Sequence, residues 1–252
     1  IPFLLSAVLV LVGLWVRLSI EESPVFQEAR ADLEQQQVAE AHLPILEVLR
    51  RYPREVLIAM GMRLAENISY YIFTVISITF IVDFGDGDKG PILQALLIGA
   101  AVQFTVIPLI GAWSDRVGRR PLYLVGAIGV GVWSFVFFGL VDSGREGLVV
   151  LAVVVGLIFH SLMYAPQAAF FSELFGTSVR YTGASVGYQL ASILAGALAP
   201  IIAVKLLADP ADPNTTAVAI YVAVASVLTV VAVLCAQETV NTSLRHDRVT
   251  GR

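Results

Sequence analysis

Arg63 and Glu66, three residues apart, are the charged side chains within one otherwise apolar run, 56–82. Asn67, Tyr70, Tyr71, Thr74 and Ser77 follow them in the same run. Spacings of three and four set Arg63, Glu66 or Asn67, Tyr70, Thr74 and Ser77 along one stripe of a helix. Ionisable groups are costly in apolar surroundings, so each is a functional candidate. Two chemistries fit the pair. Arg63 and Glu66 can neutralise each other and simply fix helix packing. Alternatively, Arg63 attracts a substrate carboxylate while Glu66 exchanges a proton, a role that suits a desolvated carboxyl because desolvation favours the neutral acid. His160, Tyr164 and Gln167 recur at i, i+4 and i+7 and so share a helical face. His160 can titrate, but a lone histidine reads more readily as a packing residue satisfied by a backbone carbonyl. Gln103, near Pro108, and the pair Tyr188 and Gln189 are further candidates to line the same cavity. A tyrosine near a bilayer edge serves equally as an interface anchor.

The elements that position these groups are expected to be membrane helices. Of 252 residues, 57% are hydrophobic and only 14% charged, and the mean hydropathy is +0.80. Soluble domains carry about a quarter charged residues, so an ordinary globular enzyme is excluded. A net charge of -4 without a long basic tract excludes a nucleic-acid-binding chain. One cysteine, Cys235, and three scattered histidines, His42, His160 and His246, offer neither a disulfide framework nor a metal site. No cofactor is expected, and no phosphate-binding G-x-x-x-x-G-K-[ST] string argues for ATP-driven work. A span needs about 20 mostly apolar residues. Such stretches fall near 2–20, 56–82, 91–113, 121–141, 148–171, 183–207 and 216–236. At about 1.5 Å per residue, Glu66 lies roughly 13 Å beyond Leu57, near mid-depth. The 2–20 stretch has no basic leader or cleavage site and is expected to be a true span cut into by the start of the sequence.

Basic residues set the orientation. Arg17, Arg30, Arg50, Arg51, Arg54, Arg116, Arg119, Arg120, Arg180, Arg245, Arg248 and Arg252 fall on one side, against Lys89, Arg145 and Lys205 on the other. Twelve against three puts the 21–54 segment, the 114–120 and 172–182 loops and the tail in the cytoplasm. The domains expected are the last helix of a preceding bundle over 1–20, a cytoplasmic connector over 21–54, a six-helix bundle over 55–238 and a tail over 239–252. Pro44 interrupts the helix-favouring part of the connector, Glu28 to Glu40.

Gly111-Ala112-Trp113-Ser114-Asp115-Arg116-Val117-Gly118-Arg119-Arg120-Pro121 joins two of these spans. An Arg-rich short loop is expected on any cytoplasmic side, yet the G-x-x-x-D-R-x-G-R-R spacing resembles the loop signature of the major facilitator superfamily. Glu21-Glu22-Ser23-Pro24-Val25-Phe26, the run Tyr164 to Phe175, Arg180-Tyr181-Thr182-Gly183-Ala184-Ser185 with Gly187-Tyr188-Gln189, Gly196 and Pro200, and Gln237-Glu238-Thr239 are similar to the metabolite:H⁺ symporter branch. That branch carries shikimate, α-ketoglutarate, citrate and proline/betaine. The resemblance runs from the sixth helix of that fold to the C-terminus and leaves the first five helices unrepresented. It implies an all-α integral membrane fold of two six-helix bundles around a midplane site, of which this is the C-terminal bundle. It also implies a cytoplasmic gate, to which Asp115, Arg116, Arg119, Arg120, Glu173 and Arg180 are assigned. Isolated surface pairs worth less than about 1 kcal/mol are the plainer account of any one of these.

The expected function is a proton-coupled symporter of a small organic acid in the cytoplasmic membrane, not an enzyme. Arg63 would bind the carboxylate and Glu66 carry the proton. Asn67, Tyr70, Tyr71, Gln103, Tyr164, Gln167, Tyr188 and Gln189 would shape selectivity. Expected partners are the small substrate, protons, the lipid bilayer and the helices of the other half, on the same or a separate chain. The in-class alternative is a proline/betaine-type zwitterion symporter. A membrane-embedded enzyme would need a nucleophile–base or metal constellation, and none is visible. A non-transporting remnant that needs a partner half is the third reading.

Overall fold

The computed structural model describes residues 2–19, 44–84, 88–175, 179–209 and 212–239. The Glu21–Phe26 string, most of the 21–54 connector and the tail beyond Thr239 lie outside the described residues. The chain divides into two compact units, Ile1–His42 and Leu43–Arg252. In the first, α1 (Pro2–Ser19) is an apolar helix with basic Arg17 in its last turn. In the second, a short α2 (Pro44–Arg51) leads into α3 (Pro53–Phe84), α4 (Gly90–Val117), α5 (Arg119–Val141), α6 (Glu146–Glu173), α7 (Arg180–Leu207) and α8 (Thr215–Cys235). These six are long and apolar enough to cross a bilayer. A two-residue antiparallel pairing of β1 (Ala208–Asp209) with β2 (Asp212–Pro213) joins α7 to α8. The chain is a multi-pass, all-helical membrane protein, and Phe104, 84% exposed, and Leu97, 74% exposed, typify its apolar outer surface.

Local chemistry sets the helix ends. Pro44 is the first described residue of α2, and Pro53 begins α3, where a missing N–H costs nothing. Asn214 caps α8 by accepting from the Ala217 N–H at 2.9 Å. Gly118, with φ 110°, turns α4 sharply into α5 in a region that side chains with a Cβ avoid. Neither α3 nor α7 is uniformly α-helical: π-helical turns cover Ile72–Ile76 and Phe80–Phe84 in α3 and Ser192–Ala197 in α7. Such turns shift the register of the side chains that follow and are frequent at functional sites.

Helix α6 packs against α4 on one side and α5 on the other, while α8 lies against α5 and α3. Among lipid tails no hydrophobic gain drives helices together, so close packing must supply the association. Phe73 of α3 meets Phe137 of α5 with ring centroids 4.7 Å apart, and Phe80 meets Phe138 at 5.1 Å. At Gly126 the backbones of α5 and α6 approach so closely that a Cβ would lie 2.8 Å from the Phe159 carbonyl oxygen. Gly126→Ala is therefore expected to destabilise the bundle by about 1–3 kcal/mol. Gly139→Ala in the same helix meets nothing within 4 Å and should be neutral or slightly stabilising. Thermal unfolding in detergent checks the contrast, and equal midpoints for the two variants would contradict it.

Candidate functional site

Arg63 and Glu66 lie one turn apart on α3, 6% and 4% exposed. They form the ion pair their spacing allows, Nη1 to Oε2 at 2.8 Å. The pair does not stand alone. Arg63 Nη1 also donates to Gln167 Oε1 of α6 at 2.7 Å, and its Nε donates to Ser192 Oγ in the π-helical turn of α7 at 3.2 Å. Its guanidinium carbon sits 3.3 Å from the centroid of the Tyr188 ring, a cation–π contact. On the other side of the carboxylate, Oε1 of Glu66 lies 3.1 Å from His160 Nε2. Gln167 Nε2 donates to Tyr123 Oη of α5 at 2.9 Å, and Tyr123 donates in turn to the Met62 carbonyl at 3.0 Å. Four helices, α3, α5, α6 and α7, thus contribute side chains around one carboxylate and one guanidinium.

The remaining candidates surround this cluster unevenly. Gln103 of α4 reaches His160 Nδ1 at 3.1 Å and Ser161 Oγ at 3.1 Å. Tyr70 and Tyr164, each 43% exposed, flank the His160 ring at centroid distances of 5.2 and 5.5 Å. Tyr71 stands edge-on to Tyr70 at 6.3 Å. Asn67 is buried beside Gly196 of α7, where a Cβ would fall 2.7 Å from its Oδ1. Gln189 is exposed and makes no hydrogen bond to the cluster among the described residues. Sequence reasoning set His160 aside as a packing residue, whereas it is the second hydrogen-bonding partner of Glu66. The signal was present in its shared face with Gln167. Tyr123 and Ser192, isolated in apolar helices, carried no signal. Among the described residues no three His, Cys, Asp or Glu side chains converge as metal ligands.

A second network joins the ends of α4, α5, α6 and α8. Arg119 Nη1 contacts Asp115 Oδ1 at 2.6 Å and Ser114 Oγ at 2.7 Å, and its Nη2 contacts Glu173 Oε1 at 3.1 Å. Glu238 accepts from the backbone N–H groups of Arg119 and Arg120, both at 3.0 Å, and so caps the start of α5. Arg120 donates to the Val233 and Leu234 carbonyls at 3.2 and 3.0 Å, and Thr239 donates to Glu173. The structure therefore brings Asp115, Arg119, Arg120 and Glu173 together. Arg116 is exposed and makes no ion pair among the described residues, and Arg180 opens α7. Glu238 and Thr239, quoted in the sequence only as part of a terminal string, are integral to this network.

Residues 15–248 match the sugar (and other) transporter family. The chain belongs to that family, within the major facilitator superfamily. Among curated proteins it is 34% identical to the inner membrane metabolite transport protein YhjE of Escherichia coli, across 97% of this chain and 55% of that protein. It is 34% identical to the shikimate transporter of E. coli, across 88% and 50% of the two chains. To the E. coli proline/betaine transporter it is 26% identical, across 97% and 49%. The chain spans about half the length of the curated relatives it matches. No solved structure matches it. Family and relatives are transporters, not enzymes, and the chain's six-helix bundle is half of a major facilitator fold.

In this transporter half, the two ion pairs of Arg119 differ in worth. The Asp115 side chain is 63% exposed and the Glu173 side chain 19%. Exposed pairs contribute little, while removing a partner from a desolvated one leaves a charge uncompensated. Glu173→Gln is expected to lower stability by about 1–3 kcal/mol and Asp115→Asn by no more than about 0.5 kcal/mol. Denaturation of the solubilised protein measures both, and the reverse ranking would contradict the assignment.

Proposed function

We propose that the complete transporter carries a small organic acid together with a proton, with Glu66 as the proton-carrying group and Arg63 as the carboxylate-binding one. The observation that carries this reading is the buried carboxylate of Glu66 held between Arg63 and His160. Glu66 occupies on Arg63 the place a substrate carboxylate would take. Its Nη2 makes no hydrogen bond among the described residues and is the arm available to an arriving anion. A proton on Glu66 cancels its charge and loosens its hold on Nη1, so proton and anion favour each other's binding. Gln167 and Ser192 keep Arg63 oriented through the exchange. Asn67, Tyr70, Tyr71, Gln103, Tyr164, Tyr188 and Gln189 shape the selectivity of the cavity, whose facing wall belongs to the other half of the fold. The names of the 34%-identical relatives, metabolite and shikimate transport proteins, support an organic acid.

The proline/betaine relatives and the part-exposed rings of Tyr70 and Tyr164 favour a second reading, a zwitterion with a quaternary ammonium against the tyrosines. On either reading the network of Asp115, Arg119, Glu173, Glu238 and Thr239 is the gate at the cytoplasmic end. Arg116, Arg120 and Arg180 add positive charge there, in a bundle whose basic-residue count turns that end toward the cytoplasm.

Glu66→Gln in the complete transporter, reconstituted in proteoliposomes, tests the proton role. With labelled shikimate as probe, and labelled proline beside it, pH-driven accumulation should fall at least about tenfold while counterflow exchange persists. Undiminished accumulation by the variant against a pH gradient would refute it.

A further inference from the structure

We propose that Gln103 is a positioning residue for the proton step: it holds His160 as the neutral tautomer with its proton on Nε2, aimed at Glu66. The purpose of this arrangement rests on the proposed coupling at Glu66; its geometry does not. The Gln103 amide nitrogen has three neighbours: His160 Nδ1 at 3.1 Å, Ser161 Oγ at 3.1 Å and the Leu157 carbonyl oxygen at 3.4 Å. The carbonyl can only accept. Ser161 gives its single hydroxyl proton to that same carbonyl at 2.7 Å, so toward Gln103 its oxygen can only accept as well. Both neighbours fix the amide with its NH₂ group inward. His160 Nδ1 cannot donate to an amide nitrogen, so it shares the two amide hydrogens as an acceptor, and the ring proton is left on Nε2. That atom faces Glu66 Oε1 at 3.1 Å, an acceptor, so the two ends of the ring agree.

The ring is held in place by Tyr70 and Tyr164 on its faces. The charged and titratable groups near it are few. Helix α3 presents Glu66, with Arg63 behind it, and Tyr70. Helix α6 adds Tyr164, α5 reaches the cluster only through Tyr123 and Gln167, and Tyr188 of α7 lies over Arg63. Helix α4 presents only the neutral Gln103. A second proton on His160 must sit on Nδ1, where the Gln103 NH₂ stands. A proton there would meet the Gln103 NH₂ group rather than an acceptor, so it does not fit the seated amide. While Gln103 is seated, an arriving proton is directed to Glu66.

Nitrogen-15 NMR of the complete transporter in nanodiscs, labelled at histidine, tests this, with the His160 signals identified by their loss in His160→Gln. The wild-type ring should show Nε2 protonated and Nδ1 bare. Gln103→Glu keeps the size but sets a carboxylate opposite Nδ1, and should move the proton to Nδ1 or protonate both nitrogens. Gln103→Met removes the donor and should give a mixture of the two tautomers. A wild-type proton on Nδ1 alone, or the wild-type signature persisting in both variants, overturns the proposal. If Gln103→Glu fails to fold, the wild-type spectrum and Gln103→Met decide it. The spectra do not depend on transport. Pump-active Glu66→Gln with these signatures would therefore remove proton coupling at Glu66 and leave Gln103 only its hold on the His160 tautomer, while inert Glu66→Gln with signatures unmoved by the Gln103 variants would keep the coupling and remove the Gln103 assignment.

Discussion

A carboxylate and a guanidinium buried within an apolar bundle have to be compensated by each other and by hydrogen bonds from their neighbours, and that requirement organises this protein. Leaving either charge without its partner in such surroundings costs several kcal/mol, about 3–5 by comparison with other buried pairs. The chain meets the requirement with polar groups from four other helices: Gln103 of α4 through His160 of α6, Tyr123 of α5 through Gln167 of α6, and Ser192 with Tyr188 of α7 directly. Among apolar helices, where any sliding contact is nearly as good as another, such a network is what selects a single arrangement. It supplies directional contacts that methyl groups cannot.

The network around Arg119 draws on the same helices, and the distances along them are short. Arg119 precedes Tyr123 by four residues on α5, about 6 Å of rise, and Gln167 precedes Glu173 by six on α6, about 9 Å. Tyr123 and Gln167 bond each other across the interface at 2.9 Å, and Arg119 and Glu173 do so at 3.1 Å. Helices α5 and α6 are therefore pinned at two levels. Any rotation of one against the other at the buried cluster must be felt at the ion pair one to two turns away. Spatial linkage of this kind gives the two ends a shared rigid body through which one can bias the other.

Much of this was legible in the sequence, and the rest was hidden for identifiable reasons. A charge inside an apolar run is conspicuous because it is expensive, so Arg63 and Glu66 stood out, and their spacing allowed the ion pair as one of two readings. The Gly118 corner lies in the D-R-x-G-R-R string that the sequence showed joining two apolar runs. His160 could not be assigned, since its meaning depends on which of two nitrogens meets which partner, and those partners lie 94 and 57 residues away. Tyr123 was invisible for the opposite reason: one hydroxyl among apolar residues is ordinary, and only its burial at 0% makes its two hydrogen bonds obligatory. Glu238 escaped as an N-terminal cap because it caps a helix that begins 119 residues earlier.

The turn of α3 that carries Arg63 is held from outside as well as by its own backbone. The Ala65 N–H and the Gly61 carbonyl are the two ends of one helical ladder step, and both bond the hydroxyl of Thr229 on α8, at 3.0 and 2.8 Å. The next carbonyl, that of Met62, accepts from Tyr123. A hydroxyl set against the ladder lets a helix bend locally without stranding a buried polar group, because the side chain can keep what the backbone lets go. Beyond this turn the π-helical stretch at Ile72–Ile76 adds a second place where α3 departs from regular helix, and Ser192–Ala197 does the same in α7 facing it. Arg63 thus stands on a segment whose backbone has alternatives, while Tyr123 stands on regular α-helix and α6 carries Pro166 beside Gln167. If one element around this ion pair is to move, the physics favours α3 or α6 over α5.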